Sequence, residues 1–211
     1  MTKAALHFTL RGQRFSLLKE RMVYWHDKKT LLIADLHAGK AAHFRKNGIP
    51  LSTDHLLADL NIIEQLIPST QASKICFLGD LYHSTANEEN DLIERWITDL
   101  GIAAELVIGN HDKYSIHKAS IKCTEAYEEN GILLSHEPEE SDFFNICGHL
   151  HPAYVMGGKA RSSFKFPSFY LSENCLILPA FGSVNGGKMY KDLVKNAQVI
   201  LATPEGLIAI D

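Results

Sequence analysis

Apolar and polar positions alternate from Ala5 to Trp25 around Arg11-Gly12-Gln13, the pattern of half-buried strands joined by a turn. After the turn at Lys28-Lys29-Thr30 the pattern changes to short, unbroken apolar runs. Leu31-Leu32-Ile33-Ala34, Ile75-Cys76-Phe77-Leu78 and Leu106-Val107-Ile108-Gly109 have the composition of strands buried on both faces, as do Ile132-Leu133-Leu134-Ser135 and Phe144-Asn145-Ile146-Cys147-Gly148. Two stretches of helical period separate the first three. Gly48-Ile49-Pro50 closes a loop, and Ser52-Thr53-Asp54 offers N-cap candidates for a helix through Leu56, Leu57, Leu60, Ile63 and Leu66, with Pro68 expected to end it. Asn87-Glu88-Glu89 opens a second helix, with Leu92, Ile93, Trp96 and Leu100 on one face and its acids at the positive end of the helix dipole. Beyond Gly109, short strands follow one another through turns at Asn130-Gly131, Gly157-Gly158, Glu173-Asn174 and Gly186-Gly187. Thr203-Pro204-Glu205-Gly206 separates the last strand pair. The expected fold is α/β: two mixed β-sheets packed face to face as a sandwich flanked by helices, with residues 1–211 as a single domain.

Composition adds little to that picture but excludes some alternatives. Hydrophobic residues at 45% and charged residues at 22% are ordinary globular values, which argues against disorder and coiled coil. The formal net charge of -4 argues against a protein that grips nucleic acid by bulk positive charge, while leaving room for a local basic groove. No apolar run is long enough to span a bilayer and Met1-Thr2-Lys3 opens no signal-peptide pattern, so a cytoplasmic protein without membrane association is expected. The four cysteines form no Cys-x-x-Cys pair, and three of them lie in or beside apolar runs, where a reduced buried thiol is expected.

The chemistry sits where the apolar runs stop. The first run delivers Asp35 and His37, the second Asp80, the third Asn110, His111 and Asp112, the fourth His136, and the fifth His149 and His151. Carboxyl ends of strands are where open α/β sheets place ligands. Five such ends bearing only carboxylate, amide and imidazole read as a metal site. Asp35 with His37, and His149 with His151, are i,i+2 pairs, which extended backbone would point in one direction. The ligand set exceeds what one catalytic ion needs and suits two ions about 4 Å apart that share a carboxylate. Two divalent cations, two aspartates and one hydroxide sum to about +1, a centre that attracts a phosphate oxyanion. Oxygen and imidazole donors without thiolate suit manganese or iron, and zinc also accepts them.

The series Asp-x-His, Gly-Asp, Gly-Asn-His-Asp, His and Gly-His-x-His, running from Asp35 to His151, resembles the calcineurin-like metallophosphoesterase superfamily. The resemblance implies that Asp35, His37, Asp80 and His151 hold one ion, that Asp80, Asn110, His136 and His149 hold the other, and that Asp80 bridges them. It also gives His111 a catalytic place, protonating the departing oxygen or stabilising charge on the phosphoryl group. Asp112 would either orient that imidazole or cap the next turn. Leu-Gly-Asp-Leu-Tyr-His departs from the phosphoprotein phosphatases, which have an aspartate at the position of His83. It is similar instead to the double-strand-break repair nucleases of the SbcD branch, where a histidine here lies in the active site. Ala34 to Lys40, Phe44 to Pro50 and Leu178 to Ser183 look like the bacterial ligase-associated DNA-damage-response phosphoesterases. That likeness implies a DNA endonuclease acting beside a DNA ligase and a helicase.

Lys40 and Arg45 follow the first metal loop closely enough to reach a substrate phosphate, with ordinary surface charge as the alternative. Lys159, Arg161 and Lys165 are interleaved with Phe164, Phe166 and Phe169, either a stacking platform for bases or the alternation of a half-buried strand. The expected function is hydrolysis of a phosphodiester, DNA by resemblance. A small-molecule phosphodiesterase or phosphatase remains the rival, and a non-catalytic scaffold is disfavoured by so expensive a cluster of polar groups.

Overall fold

The computed structural model of the chain describes residues 3–83, 88–114, 121–158 and 163–210. Among the described residues, one seven-stranded sheet runs in chain order: β1 (Ala5–Leu10), β2 (Gln13–Leu18), β3 (Met22–Trp25), β4 (Thr30–Ile33), β5 (Lys74–Leu78), β6 (Ala103–Val107) and β7 (Lys122–Thr124). Its first four strands form an antiparallel meander and its last four are parallel. Helices α1 (Lys40–Lys46), α2 (Asp54–Thr70) and α3 (Glu88–Asp99) occur in the crossovers between the parallel strands, as parallel pairing requires.

The second sheet contains β8 (Tyr127–Glu129), β9 (Ile132–Leu134), β10 (Phe144–Cys147), β11 (Ala153–Gly157), β12 (Ser163–Leu171), β13 (Cys175–Ile177), β14 (Gln198–Thr203) and β15 (Gly206–Ile210). Its order is β15-β14-β12-β13-β10-β9-β8, with β11 paired to β12, and β9, β10 and β13 parallel. A short helix α4 (Lys191–Val194) precedes β14. Both sheets are thus mixed, as the strand pattern implied.

The unbroken apolar runs are explained by burial on both faces. Alternate residues of β4 and β5 divide between two cores: Leu31, Ile33, Ile75 and Phe77 face the helices, while Leu32, Ala34, Cys76 and Leu78 face the second sheet. From α2 come Leu56, Leu60 and Ile63, and from α3 Ile93 and Ile97. Opposite Leu32 and Leu78, the second sheet supplies Ile132, Leu134, Phe144, Ile146, Phe169, Leu176 and Ile200. Asn145 interrupts the run of β10 but is fully buried. Its amide donates to Leu133 O and Ser135 Oγ and its oxygen accepts from Glu139 N, so the polar group is satisfied.

Local expectations depart from the structure in a few places. Thr53 lies before α2 in right-handed conformation without a side-chain cap, and Ser52 Oγ instead accepts from Asp54 N at 3.1 Å. The helix also continues past Pro68 to Thr70. In the last turn proline removes a single helical N–H, which a helix end tolerates better than its middle. Leu57 is half exposed rather than on the core face. Helix α1 has no sequence forecast behind it, and Asn87, Lys159 and Arg161 lie outside the described residues.

Leu32 is fully buried between the sheets. Leu32→Ala should lower unfolding free energy by about 2–5 kcal/mol in urea denaturation, the range for a leucine-sized cavity.

Candidate metal centre

Strands β4, β5 and β6 are parallel, so their carboxyl ends share one edge; β9 and β10 are parallel in the facing sheet. The loops leaving these ends are stitched together by backbone bonds. Asp35 N donates to Gly79 O, His37 N to Asp80 O, Ala38 N to Leu81 O and Gly148 N to His136 O. The segment after β13 closes over them, with Phe181 N donating to Ala34 O.

Backbone conformation at this edge is unusual. Asp35, His37, Asp80, His149 and His151 all have φ between 48 and 65°, half of the ten non-glycine residues with positive φ among those described. Such conformations cost on the order of 1–3 kcal/mol each and persist only where the surroundings fix them. They also revise the i,i+2 argument. Neither pair is extended, and His149 and His151 face different clusters.

Asp35, His37 and His151 form one of these clusters, with His151 Nε2 at 3.3 Å from Asp35 Oδ1 and 3.2 Å from His37 Nε2. Beside the first, His37, His83 and His111 come together without a carboxylate; Asp80, His136 and His149 form the other carboxylate-bearing cluster. There His136 Nε2 stands 3.0 Å from His149 Nδ1, 3.0 Å from Asn110 Oδ1 and 3.5 Å from Asp80 Oδ1. Asp80 touches both clusters, since its Oδ2 lies 3.7 Å from His37 Nε2.

Hydrogen positions decide what these contacts mean. His136 Nδ1 faces Leu78 O at 3.0 Å and His151 Nδ1 faces Gly186 O at 3.3 Å. A carbonyl only accepts, so each Nδ1 carries a proton and each Nε2 is turned to the cluster, where the neutral form of the ring offers a lone pair. Carboxylate, amide and imidazole groups therefore crowd together here, and Asp35 Oδ1 is buried with no hydrogen-bond partner. A divalent cation satisfies that arrangement, and imidazoles whose other nitrogen donates to a carbonyl are the usual form of metal ligand. Spacings of 3.0–3.7 Å also suit neighbouring donors around one cation with bonds of about 2.1 Å. The residues fit divalent metal.

Burial dominates the electrostatics. It pushes the His37 imidazole down to about 2, assisted by His151, Lys40, His83 and His111, and it raises the Asp80 carboxyl despite His136 and a hydrogen bond from His111 N. Lys40 is lowered by burial against the pull of Asp35 and Asp80.

The remaining sequence candidates surround the clusters. His111 Nδ1 donates to His83 O at 2.9 Å, its backbone N donates to Asp80 Oδ1, and its ring stacks on that of His83 with centroids 5.1 Å apart. His83 Nδ1 lies 3.4 Å from His37 Nδ1, and burial lowers it to about 4. Asp112 does not orient the His111 ring. Its fully buried carboxylate accepts from Asp80 N and Gly109 N at 2.8 Å and from Tyr82 N at 3.0 Å, tying the third loop to the second. Gly109 permits this approach, since a Cβ there would lie 2.3 Å from Asp80 Oδ1.

Arg45 is turned to structure. Its guanidinium meets the buried carboxylate of Glu89 at 3.0 Å and donates to Leu51 O, while Glu89 also accepts from Gly39 N at the start of α1. Lys40 Nζ donates to Asn185 Oδ1 at 2.6 Å, and Asn185 Nδ2 donates to Asp35 O at 2.7 Å. Sequence reading missed both Asn185 and Glu89. Asn185 follows the Leu178–Ser183 stretch with no spacing signal of its own, and Glu89 looked like an ordinary acid in a first helical turn.

Two facing mixed sheets with a donor-lined rim at the ends of parallel strands define a candidate centre for divalent metal. The sequence matches the calcineurin-like phosphoesterase family over residues 28–193, and the chain belongs to that family. Its structure is similar to Pseudomonas putida nuclease MPE, with 26% identity, a TM-score of 0.81, and coverage of 97% of this chain and 100% of that one. Lower similarity extends to the E. coli phosphoesterase Yfce, at 14% identity and TM-score 0.45 over 85% of this chain and 96% of that one. A protein of unknown function from Aquifex aeolicus, AQ665, matches at 21% identity and TM-score 0.42 over 58% and 78% of the two chains. No curated protein sequence matches the chain.

Asp112→Ala should leave three buried N–H groups unpaired, a loss of about 3 kcal/mol or more at roughly 1–3 kcal/mol each. Thermal unfolding should shift down and manganese affinity should fall with it. Full metal affinity in the variant would show that these bonds do not hold the rim.

Proposed function

We propose that this protein is a nuclease that hydrolyses phosphodiester bonds in DNA with the aid of two divalent cations, for which the donor set best suits manganese. The observation that carries the reading is the position of Asp80. One of its oxygens faces the His37 side and the other the His136 side, as a carboxylate shared by two ions would. Asp35, His37, Asp80 and His151 would hold one cation, and Asp80, Asn110, His136 and His149 the other. Bound there, such a pair supplies Lewis-acid stabilisation of phosphoryl oxygens and lowers the pKa of water.

The chain's own residues supply the rest. Hydrolysis adds water across a P–O bond, so the departing oxygen must receive a proton. His111 in its doubly protonated form would give it from Nε2, because His83 O holds the Nδ1 proton and the stacked His83 ring holds the imidazole plane. Lys40 adds positive charge near Asp35 and Asp80, and Asn185 fixes the ammonium. Asp112 keeps the second and third loops in register.

The choice of a diester in DNA draws on histidine at position 83 and on the likeness to a bacterial nuclease over nearly the whole chain. A role in DNA repair beside a DNA ligase and a helicase follows from the sequence resemblance and belongs to the same proposal. The deciding assay compares manganese-supported hydrolysis of a simple diester, a monoester, and nicked or single-stranded DNA. Cleavage of both diester and DNA supports the reading; cleavage of the monoester alone would make the protein a phosphatase.

His111→Ala should retain its metals by elemental analysis while turnover falls by about 10²-fold or more. Unchanged turnover would remove the proton-donor role. Asp80→Asn should lose both ions, and a variant that still carries two would contradict the shared carboxylate.

A further inference from the structure

A cavity of about 160 Å³ adjoins the metal centre. His151 belongs to both: its Nε2 meets Asp35 and His37, while its Nδ1 bonds Gly186, which lines the cavity. The walls include Pro152, Pro167 and Ala180, and among the described residues the charged lining is Arg21 and Lys165, with no aspartate or glutamate.

The carboxylate of Asp59 attracts Arg21 from nearby without pairing with it. Among the described residues Arg21 forms no ion pair, and its guanidinium makes one hydrogen bond, from Nη1 to Phe181 O at 3.3 Å, out of five possible donors. The neighbouring carboxylate of Asp59 is engaged by Ser183 N and Oγ. Lys165 likewise forms no ion pair, and its Nζ donates to Gly187 O at 3.0 Å. Strand register explains why it points here. Lys165 pairs with Val155 and Pro167 with Ala153, so these residues share the face of the β11–β12 hairpin that walls the cavity. Phe164 and Phe166 occupy the other face, where Phe166 packs on the outer core, so Lys165 shares no stacking platform with them.

In a chain of net charge -4, two cations that form no ion pair among the described residues, one of them the exposed Lys165, border a partly apolar cavity and suit an anion. Arginine and lysine together suit phosphate. Beside a centre that cuts phosphodiesters, the anion held at a fixed spacing from the scissile group is the next phosphate of the same strand. We propose that the cavity formed by Arg21, Lys165 and the His151–Gly187 wall is a subsite for the phosphate adjacent to the scissile one in a polynucleotide. It makes the enzyme prefer strands to isolated diesters. This rests on the nuclease reading above.

The test uses the full chain with manganese and two substrates: bis(4-nitrophenyl) phosphate, which has no second phosphate, and a single-stranded oligodeoxynucleotide. Lys165→Met and Arg21→Met should each lower kcat/KM on the oligonucleotide by about tenfold, the loss of one charge-assisted phosphate contact, and change hydrolysis of the small diester less than twofold. Lys165→Arg should restore the oligonucleotide rate. Arg21 lies in a tight turn with φ 65°, and if its variant does not fold, the Lys165 pair decides alone. Equal losses on both substrates, or no loss on the oligonucleotide, would overturn the subsite while leaving the nuclease reading intact. An oligonucleotide untouched by the unmodified enzyme would overturn both.

Discussion

The rim of this protein crowds carboxylate, amide and imidazole groups against one another. Buried Asp35 and Asp80, the Asn110 amide and the inward nitrogens of His136 and His151 approach to within 3.0–3.7 Å, while the other nitrogens of those two rings already donate to carbonyls. Packed this way without compensation, such groups repel, and burial adds the loss of hydration. Much of the surrounding structure can be understood as the apparatus that forces them together: two sheets whose parallel strands end at one edge, and five non-glycine residues in left-handed conformation. Divalent cations convert that repulsion into attraction, which couples metal binding to the stability of the rim.

The loops hold because other polar groups are used purely to brace them. Asp112 gathers three backbone amides from the second and third loops. Glu89 joins Gly39 to Arg45 around α1, and Asn185 links Lys40 to the carbonyl of Asp35. Asp59 fixes Ser183 in the closing segment. These contacts are to backbone or to side chains outside the two clusters, so the donors that face the clusters remain free to bind metal. Division of labour between bracing and binding carboxylates limits the negative charge that faces the clusters.

Charge is distributed to the same end. The chain as a whole is acidic, yet Lys40, Arg21 and Lys165 lie around the rim and its adjoining cavity. Local cations within apolar walls act more strongly on an anion than scattered surface charge does, because less water screens them. Such an arrangement suits an anion held by position rather than by bulk attraction.

The sequence by itself determined the strands and the chemistry at their ends. Leu31-Leu32-Ile33 and Ile75-Cys76-Phe77-Leu78 are legible because burial on both faces admits only apolar residues, and the donors that follow them are conspicuous by type. Tertiary structure decided the partnerships. His149 and His151 are two residues apart yet face different clusters, Asp112 braces amides instead of an imidazole, and Arg45 is drawn to Glu89. Asn185 reaches Asp35 across 150 positions. These contacts follow from left-handed turns and from the meeting of two sheets, and neither leaves a periodic trace in a single chain. Local sequence specifies which face is apolar; which polar groups meet is set by the packing of elements distant along the chain.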